Sequence, residues 1–328
     1  MKKNKDIGKK TSIGGQALIE GVMMNGVSVG AMAVRKKDGE LQVDTWEKGE
    51  KKWYNKAFLV RGCFNFVSTL KEGYRCINKS VEISGIGDED DDEEPSKLDK
   101  WLDEHLSDKG AEALVSILSF LMIIVMIGVF FFVPSLLFSL IEKAVPADIS
   151  MWKSAFEGVL KLALFVGYMA VVAQMGTMKR MYGYHGAEHK TIACYEAGKP
   201  LTVENVKPMC RFHPRCGTSF IIITLLVSIL VYSLIPIEPA KWWGIENMAL
   251  AALLRVLIKV VFLPLVVGIS YELIKLAGRY TNPFTKIISA PGLWVQRLTT
   301  REPDASQIET AIAAITPCLP KEGENDAW

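Results

Sequence analysis

Four long apolar stretches dominate the pattern of hydrophobic and polar positions along this chain of 328 residues. Each is close to the length of about 20 residues that an α-helix needs to cross the hydrocarbon layer of a membrane. The pattern therefore predicts an α-helical integral membrane protein with about four transmembrane helices and the lipid bilayer as its partner. The stretches are residues 113–141, 162–178, 217–237 and 247–271.

The pattern before the first stretch predicts a small N-terminal β element and an amphipathic helix. Residues 27–34 and 40–46 have strand character and flank an Asp-Gly pair, which is typical of a hairpin. The glycine-rich residues 14–26 predict tight turns between short strands, with Glu20 as their one candidate functional carboxylate. Apolar positions three or four apart over residues 53–83 predict a long helix.

The polar side of this predicted helix is basic. Such a helix suits an anionic membrane surface or the cytoplasmic end of the helix bundle. Periodicity alone is equally consistent with an ordinary helix whose apolar side faces the protein core.

These elements divide the chain into four predicted parts. An acidic run after the first amphipathic helix is typical of a solvated linker. A second amphipathic helix is expected near the C-terminus, with Asp304 as its N-cap. The parts are residues 1–86 (hairpin and amphipathic helix), 87–112 (acidic linker), 113–276 (four-helix membrane domain with a His- and Cys-containing loop at 179–218) and 277–328 (tail with an amphipathic helix).

The distribution of Lys and Arg predicts the orientation in the membrane. Seven fall in residues 179–216, whereas residues 238–246 contain one. The positive-inside rule then places this segment and both termini in the cytoplasm of a multi-pass plasma-membrane protein. Arg255 and Lys259 lie in the outer half of the last span, where Glu157 is their expected partner.

Charge and composition exclude one class of partner. The net charge is +2, and the basic residues are not interleaved with aromatic ones as a nucleic-acid groove requires. We therefore expect no nucleic-acid partner, and the sequence identifies no protein partner. A cytoplasmic location keeps cysteines as thiols, which are able to bind metal.

Three of the four histidines lie between positions 183 and 219. His185 and His189 are four residues apart with Glu188 between them. On a helix both imidazoles lie on one face, so they can share one metal ion, for which zinc is the first choice and another divalent metal the second. Gly183 and Gly186 weaken that helix, which favours the alternative that these are ordinary core or surface residues.

A second group of candidate ligands follows closely. Cys210, His213 and Cys216 are separated by two residues each, a spacing that lets a tight turn direct three side chains to one point. Glu272 ends up at the cytoplasmic end of the last span and is a further candidate. The sequence does not decide which of these residues completes a site with the two histidines.

Five sequence motifs spread over nearly the whole chain are GGQALIEGVMM, YHGAEHKTIACYE, HPRCGTSF, GISYELIK and PGLWVQRLTTREP. Together they resemble the YqhQ-like family of bacterial integral membrane proteins. The resemblance implies a family of unknown function for which a metal-dependent activity has been suggested, and it supplies no substrate.

Two functions are consistent with these observations. The first is a membrane-embedded, zinc-dependent hydrolase, because His-x-x-Glu-His is the inverted zincin pattern in which Glu188 acts as general base. The alternative is a non-enzymatic membrane assembly factor or scaffold, in which Cys210, Cys216 and two histidines hold a structural zinc ion.

Overall fold

The structure is a computed structural model that describes residues 10–49, 52–55, 57–85, 108–235 and 242–328. The acidic run at 88–94 lies outside the described residues, and so does most of the predicted linker. The described helices, in chain order, are α1 (Val60–Ser84), α2 (Asp108–Ala144), α3 (Lys153–Val172), α4 (Gly176–Glu196), α5 (Val203–Val206), α6 (Gly217–Leu234), α7 (Met248–Arg279), α8 (Pro283–Thr299) and α9 (Ala305–Ile315).

A four-stranded antiparallel sheet forms the N-terminal β element, with neighbours paired in chain order. The predicted hairpin is confirmed as the last two strands, and the glycine-rich segment before it forms the first two. Side chains alternate between the two faces of the sheet, as strand geometry requires. The strands are β1 (Gly14–Leu18), β2 (Gly21–Asn25), β3 (Val29–Arg35) and β4 (Leu41–Glu47).

The sheet is covered by helices on both faces. Val22 and Met24 of β2 join a core that includes Tyr184 of α4 and Ile308 of α9. Met23, between them in sequence, packs on the other face in a cluster with residues of α1. Because β2 is buried on both faces, it is apolar at successive positions instead of alternating apolar with polar residues.

Within the described residues, four helical segments are long and apolar enough to cross a membrane. Most of their residues are not buried against the rest of the protein, as expected for helices that face lipid. They confirm the predicted number of apolar segments by length and composition. The segments are Phe120–Ala144, Lys153–Val172, Gly217–Leu234 and Leu253–Arg279.

The second of these segments differs from its prediction at both ends. It was expected over residues 162–178, but α3 occupies Lys153–Val172 and α4 begins four residues later. The reason is that charged residues are accommodated inside the bundle by pairing. Glu157 lies 3.8 Å from the ammonium groups of both Lys161 and Lys259. The predicted partnership of Glu157 with Lys259 is confirmed.

The first part of the segment predicted as a His- and Cys-containing loop, residues 179–196, belongs to a largely buried helix, α4. Two glycines allow the α8–α9 connection and α9 to approach it closely. A Cβ on Gly186 would collide with the backbone carbonyl of Arg301, and one on Gly183 with the side chain of Gln307. The glycines that weaken the helix locally are therefore needed for its packing. The N-terminal end of α9 is capped by Asp304, as predicted, in a capping box with Gln307.

Candidate metal centre

The centre is built on α4, where His185 and His189 lie one turn apart on the same face. The helix is regular from Gly176 to Glu196, so the predicted four-residue spacing brings the two rings together with their centroids 4.5 Å apart. Both rings are buried, as is Glu188 between them. The helix thus brings the two imidazoles to one face with Glu188 beside them.

Cys216 is the third side chain of the group. The candidate ligand atoms of His185, His189 and Cys216 all lie within 4.8 Å of one another, and His185 Nε2 is 3.1 Å from Cys216 Sγ. Around a tetrahedral zinc ion, a nitrogen at about 2.0 Å and a sulfur at about 2.3 Å lie roughly 3.5 Å apart. The spacing of the three atoms is compatible with one shared ion.

The backbone orients both imidazoles. Nδ1 of His185 lies 2.8 Å from the carbonyl of Thr299, and Nδ1 of His189 lies 2.5 Å from the carbonyl of Arg211. A carbonyl can only accept, so each Nδ1 carries a proton and donates it, which leaves the Nε2 lone pair available to a metal when the ring is neutral. This backbone support is the usual outer shell of histidine ligands.

One buried atom in the group tests whether a metal fits. Nε2 of His189 is buried and has no hydrogen-bond partner among the residues that the structure describes. An unpaired buried polar nitrogen costs free energy, about 1–3 kcal/mol in proteins. A cation bound between His185, His189 and Cys216 would remove that cost, because it would use this lone pair. The donor set fits a metal.

The electrostatics of Cys216 and His185 are linked. Burial alone would raise the pKa of the Cys216 thiol, but the two neighbouring imidazoles hold it well below its usual value. Burial alone would lower the pKa of His185, but Cys216 and Glu188 raise it to about 9. A lowered thiol pKa favours the thiolate, which is the form that binds metal, and a bound metal would displace the proton from Nε2 of His185.

Glu188 stands beside the three candidate ligands. Its carboxylate oxygen is 4.0 Å from His185 Nε2, and it accepts a hydrogen bond from the backbone N–H of Gly15 in β1. Burial raises the pKa of Glu188, partly opposed by His189 and His185. A raised pKa brings a carboxylate closer to the range in which it exchanges protons at neutral pH.

His213 lies next to the group without sharing its arrangement. Its ring centroid is 5.5 Å from that of His189, but its Nε2 lies 3.1 Å from the guanidinium of Arg215 and 3.9 Å from Glu196. Burial, partly offset by Glu196, lowers the pKa of His213 to about 4. The ring is therefore neutral at physiological pH.

The backbone of this segment is held by Gln296 of α8. The Gln296 amide accepts from the N–H of His213 at 2.8 Å and donates to its carbonyl at 2.7 Å and to Ser219 at 2.8 Å. This clamp fixes the turn that leads into Cys216, the N-cap residue of α6.

Two other candidate ligands lie elsewhere. Cys210 is exposed, and its sulfur accepts from the N–H of Phe212. Glu272 is held by Arg61 of α1, with contacts of 2.7 and 2.5 Å. The expectation that either joins the histidines is wrong for this structure, because Cys210 points outward and the Glu272 carboxylate is neutralised by a bidentate guanidinium.

Glu20 has a structural role. It occupies the β1–β2 turn with a φ of 48°, accepts from the guanidinium of Arg180, and accepts from the Tyr184 hydroxyl at 3.1 Å. Both donors lie on α4, so Glu20 fixes the sheet against the helix that carries the histidines.

Sequence reasoning missed the residues that support the centre. Thr299 and Arg211 act through backbone carbonyls, which no side-chain pattern reveals. Gly15 and Gln296 lie in two of the recognised motifs, GGQALIEGVMM and PGLWVQRLTTREP. The presence of these motifs was the available signal that both segments contribute to the same site.

Comparisons with known proteins agree on one family. Residues 58–321 match the family described as "Protein of unknown function (DUF1385)". The chain is 35% identical over 312 residues to the "Uncharacterized protein YqhQ" of Bacillus subtilis (strain 168), an alignment that covers 93% of this chain and 92% of that protein. No solved structure matches. The chain belongs to the YqhQ-like DUF1385 family.

Proposed function

We propose that this protein is a membrane-embedded, metal-dependent hydrolase whose centre is formed by His185, His189 and Cys216. The observation that carries the proposal is a buried group of three metal-binding side chains with the Glu188 carboxylate beside it. Catalytic zinc sites have three protein ligands and one open position, whereas structural sites have four protein ligands. The three-residue group matches the first kind.

The four residues have distinct roles in this proposal. His185 and His189 supply neutral nitrogens, and Cys216 supplies a thiolate. The metal, when bound, acts as a Lewis acid that makes a water molecule easier to deprotonate. Glu188 accepts the proton of the attacking water and later returns it to the leaving group.

Zinc is the metal that this donor set favours. Two imidazole nitrogens and one thiolate are typical zinc ligands, whereas calcium and magnesium take oxygen ligands. Soft sulfur also suits Cu(I) and iron–sulfur clusters, but a pair of histidines on one helix turn with an adjacent carboxylate is the pattern of zinc-dependent hydrolases.

X-ray absorption at the zinc edge of the purified protein tests this coordination. We expect one sulfur, two imidazole nitrogens and one light atom from solvent. Two sulfur ligands would bring in Cys210 and support the alternative, a membrane scaffold with a closed structural zinc site. The measurement distinguishes the two functions because a closed site leaves no position for water.

The position of Cys216 in the chain bears on where the centre lies relative to the membrane. Cys216 directly precedes α6, one of the four helices long enough to cross a membrane. We propose that the centre lies at the cytoplasmic face of the plasma membrane, with both termini in the cytoplasm. The excess of basic residues in 179–216 supports this orientation.

Reporter fusions test the orientation. A fusion after Lys153 should be active outside the cytoplasm, and a fusion after Lys207 should be active inside it. Of the helices between the two positions, α3 is the one long and apolar enough to cross a membrane, so one crossing separates the two fusions. An external Lys207 fusion would place Cys216 in an oxidising compartment and remove the basis for a cytoplasmic metal site.

A further inference from the structure

Helix α1 packs Phe66, Ile77 and Ile83 partly against the protein, but it leaves a second row of large apolar side chains exposed. Its buried residues are small ones: Gly62, Gly73, Cys76, Ser80 and Ser84. A helix in a water-soluble domain shows the reverse arrangement, with large apolar residues facing the core. The large apolar side chains on the opposite side are Phe64 (46% exposed), Val67 (62%), Leu70 (57%) and Tyr74 (71%). We call these four residues the outer stripe.

The N-terminal half of α1 lies against the fourth apolar segment. Cys63 donates to the carbonyl of Pro264 at 3.2 Å, and Asn65 donates to the Tyr271 hydroxyl at 2.9 Å. A Cβ on Gly62 would come within 3.2 Å of the Cα of Gly268, so the two backbones are close. Pro264 is an interior residue of the segment Leu253–Arg279. The first turns of α1 are therefore level with the interior of that segment.

The surface of α7 around this contact is also apolar. Val260, Val261, Leu263 and Leu265 are exposed. If α7 crosses the membrane, these side chains face acyl chains. The first turns of α1 lie against the same segment, at Pro264 and Gly268, so those acyl chains are available to cover the outer stripe.

The exposed surface of α1 changes character toward its C-terminal end. Lys71, Arg75 and Lys79 follow the apolar residues, and Lys79 pairs with Asp44 of β4 at 2.8 Å. An apolar stripe followed by lysine and arginine is the composition of helices that lie at the boundary between acyl chains and headgroups.

We propose that α1 is an interfacial membrane helix whose outer stripe is inserted into the acyl chains of the cytoplasmic leaflet. Lys71 and the hydroxyl of Tyr74, at the end of the outer stripe, then lie at the level of the headgroups, and the sheet lies on the cytoplasmic side. The proposal rests on membrane insertion of α7 in the orientation proposed above, and it is independent of hydrolysis.

This placement has a consequence for the metal centre. Gly73 of α1 lies against Gln16 of β1. Gly15, which precedes Gln16 in the same strand, donates its backbone N–H to the Glu188 carboxylate. Through this short series of contacts α1 holds the centre at the membrane surface. An amphiphilic substrate can then present its polar part to Glu188 while its apolar part stays in the bilayer.

Photocrosslinking in the membrane tests the proposal. Benzoylphenylalanine is placed at Val67 or Leu70 of the outer stripe, at Leu257 on the exposed side of α7, and at Lys37 in the exposed β3–β4 turn. The full-length variants are reconstituted in vesicles of phosphatidylethanolamine and phosphatidylglycerol and irradiated. Intact mass then identifies the partner of each crosslink.

The expected result is a phospholipid adduct at Val67, Leu70 and Leu257 and none at Lys37. Adducts between two chains at Val67 and Leu70 would overturn the proposal, since a second copy would then cover the outer stripe. An absence of lipid adducts at those two positions, with an adduct at Leu257, would also overturn it. If Leu257 itself gives no lipid adduct, membrane insertion of α7 fails and the proposal fails with it.

Discussion

Replacing Cys216 with serine is expected to remove most of the bound zinc from the purified protein, whereas the same replacement at Cys210 leaves the zinc content unchanged. The first change deletes one of three proposed ligands, and a serine hydroxyl is far harder to ionise than a thiol whose pKa is lowered by two imidazoles. The loss of affinity should exceed the roughly 10- to 100-fold that removal of a supporting outer-shell partner costs. Metal analysis after purification in chelator-treated buffer measures it.

The two substitutions form a matched pair, because they exchange the same atoms. Cys216 is buried with its sulfur beside the His185 ring, whereas Cys210 is exposed. His189→Ala is the second test of the same site and should lose zinc as Cys216→Ser does. Zinc content equal to that of the unmodified protein in both Cys210→Ser and Cys216→Ser would show that neither sulfur is a ligand, and equal loss in both would support the closed structural site. Loss in Cys210→Ser alone would place the metal in the exposed segment and disprove the proposed centre.

Cys216 shows why the sequence predicted only part of this site. The positions of His185, Glu188 and His189 follow from helix periodicity alone, so they could be placed before the fold was known. The third ligand depends on where the start of α6 lies relative to α4. That position is set by Gln296, which binds the backbone of His213 from 83 residues away. No local spacing contains this information.

Glu272 and α1 illustrate a second limit of sequence patterns. Periodicity shows that a helix has two different sides, but it does not show which side faces the protein. Glu272 lies in the C-terminal part of α7, and its carboxylate binds Arg61 instead of joining the histidines. In α1 the fully buried residues are glycine, cysteine and serine, while Phe64, Val67, Leu70 and Tyr74 are exposed. Small residues allow close approach of backbones, a role that hydrophobicity patterns do not report.

The apolar segments were the most predictable part of the fold. Their number follows from length and composition, because an uncharged run near 20 residues has few other uses. The error at α3 arose because Glu157 and Lys161 interrupt the run, although they pair with each other inside the bundle. Charges that are compensated by partners on other helices make the ends of such segments hard to locate from sequence.

Glu188→Gln is expected to give a folded protein that retains its zinc and has lost its activity. Glutamine keeps the shape and an oxygen that can accept the hydrogen bond from Gly15, but it cannot take a proton from water. General-base catalysis of this kind typically contributes about 10²- to 10⁴-fold, and we expect a loss of that size. Zinc content should match the unmodified protein because Glu188 lies beside the three-ligand group and does not belong to it.

Complementation of a deletion strain is the practical measurement, with each variant compared at matched abundance in the membrane. Glu309→Gln is the matched control, since Glu309 is an exposed residue of α9 whose ion pair with Arg35 lies on the protein surface. It should complement fully, and His189→Ala should not complement because it loses the metal. Under the scaffold function Glu188 is only a buried neighbour of the ligands, so Glu188→Gln should then complement as well as Glu309→Gln. Full complementation by Glu188→Gln together with failure of His189→Ala would rule out the hydrolase and leave structural zinc as the better explanation of the site.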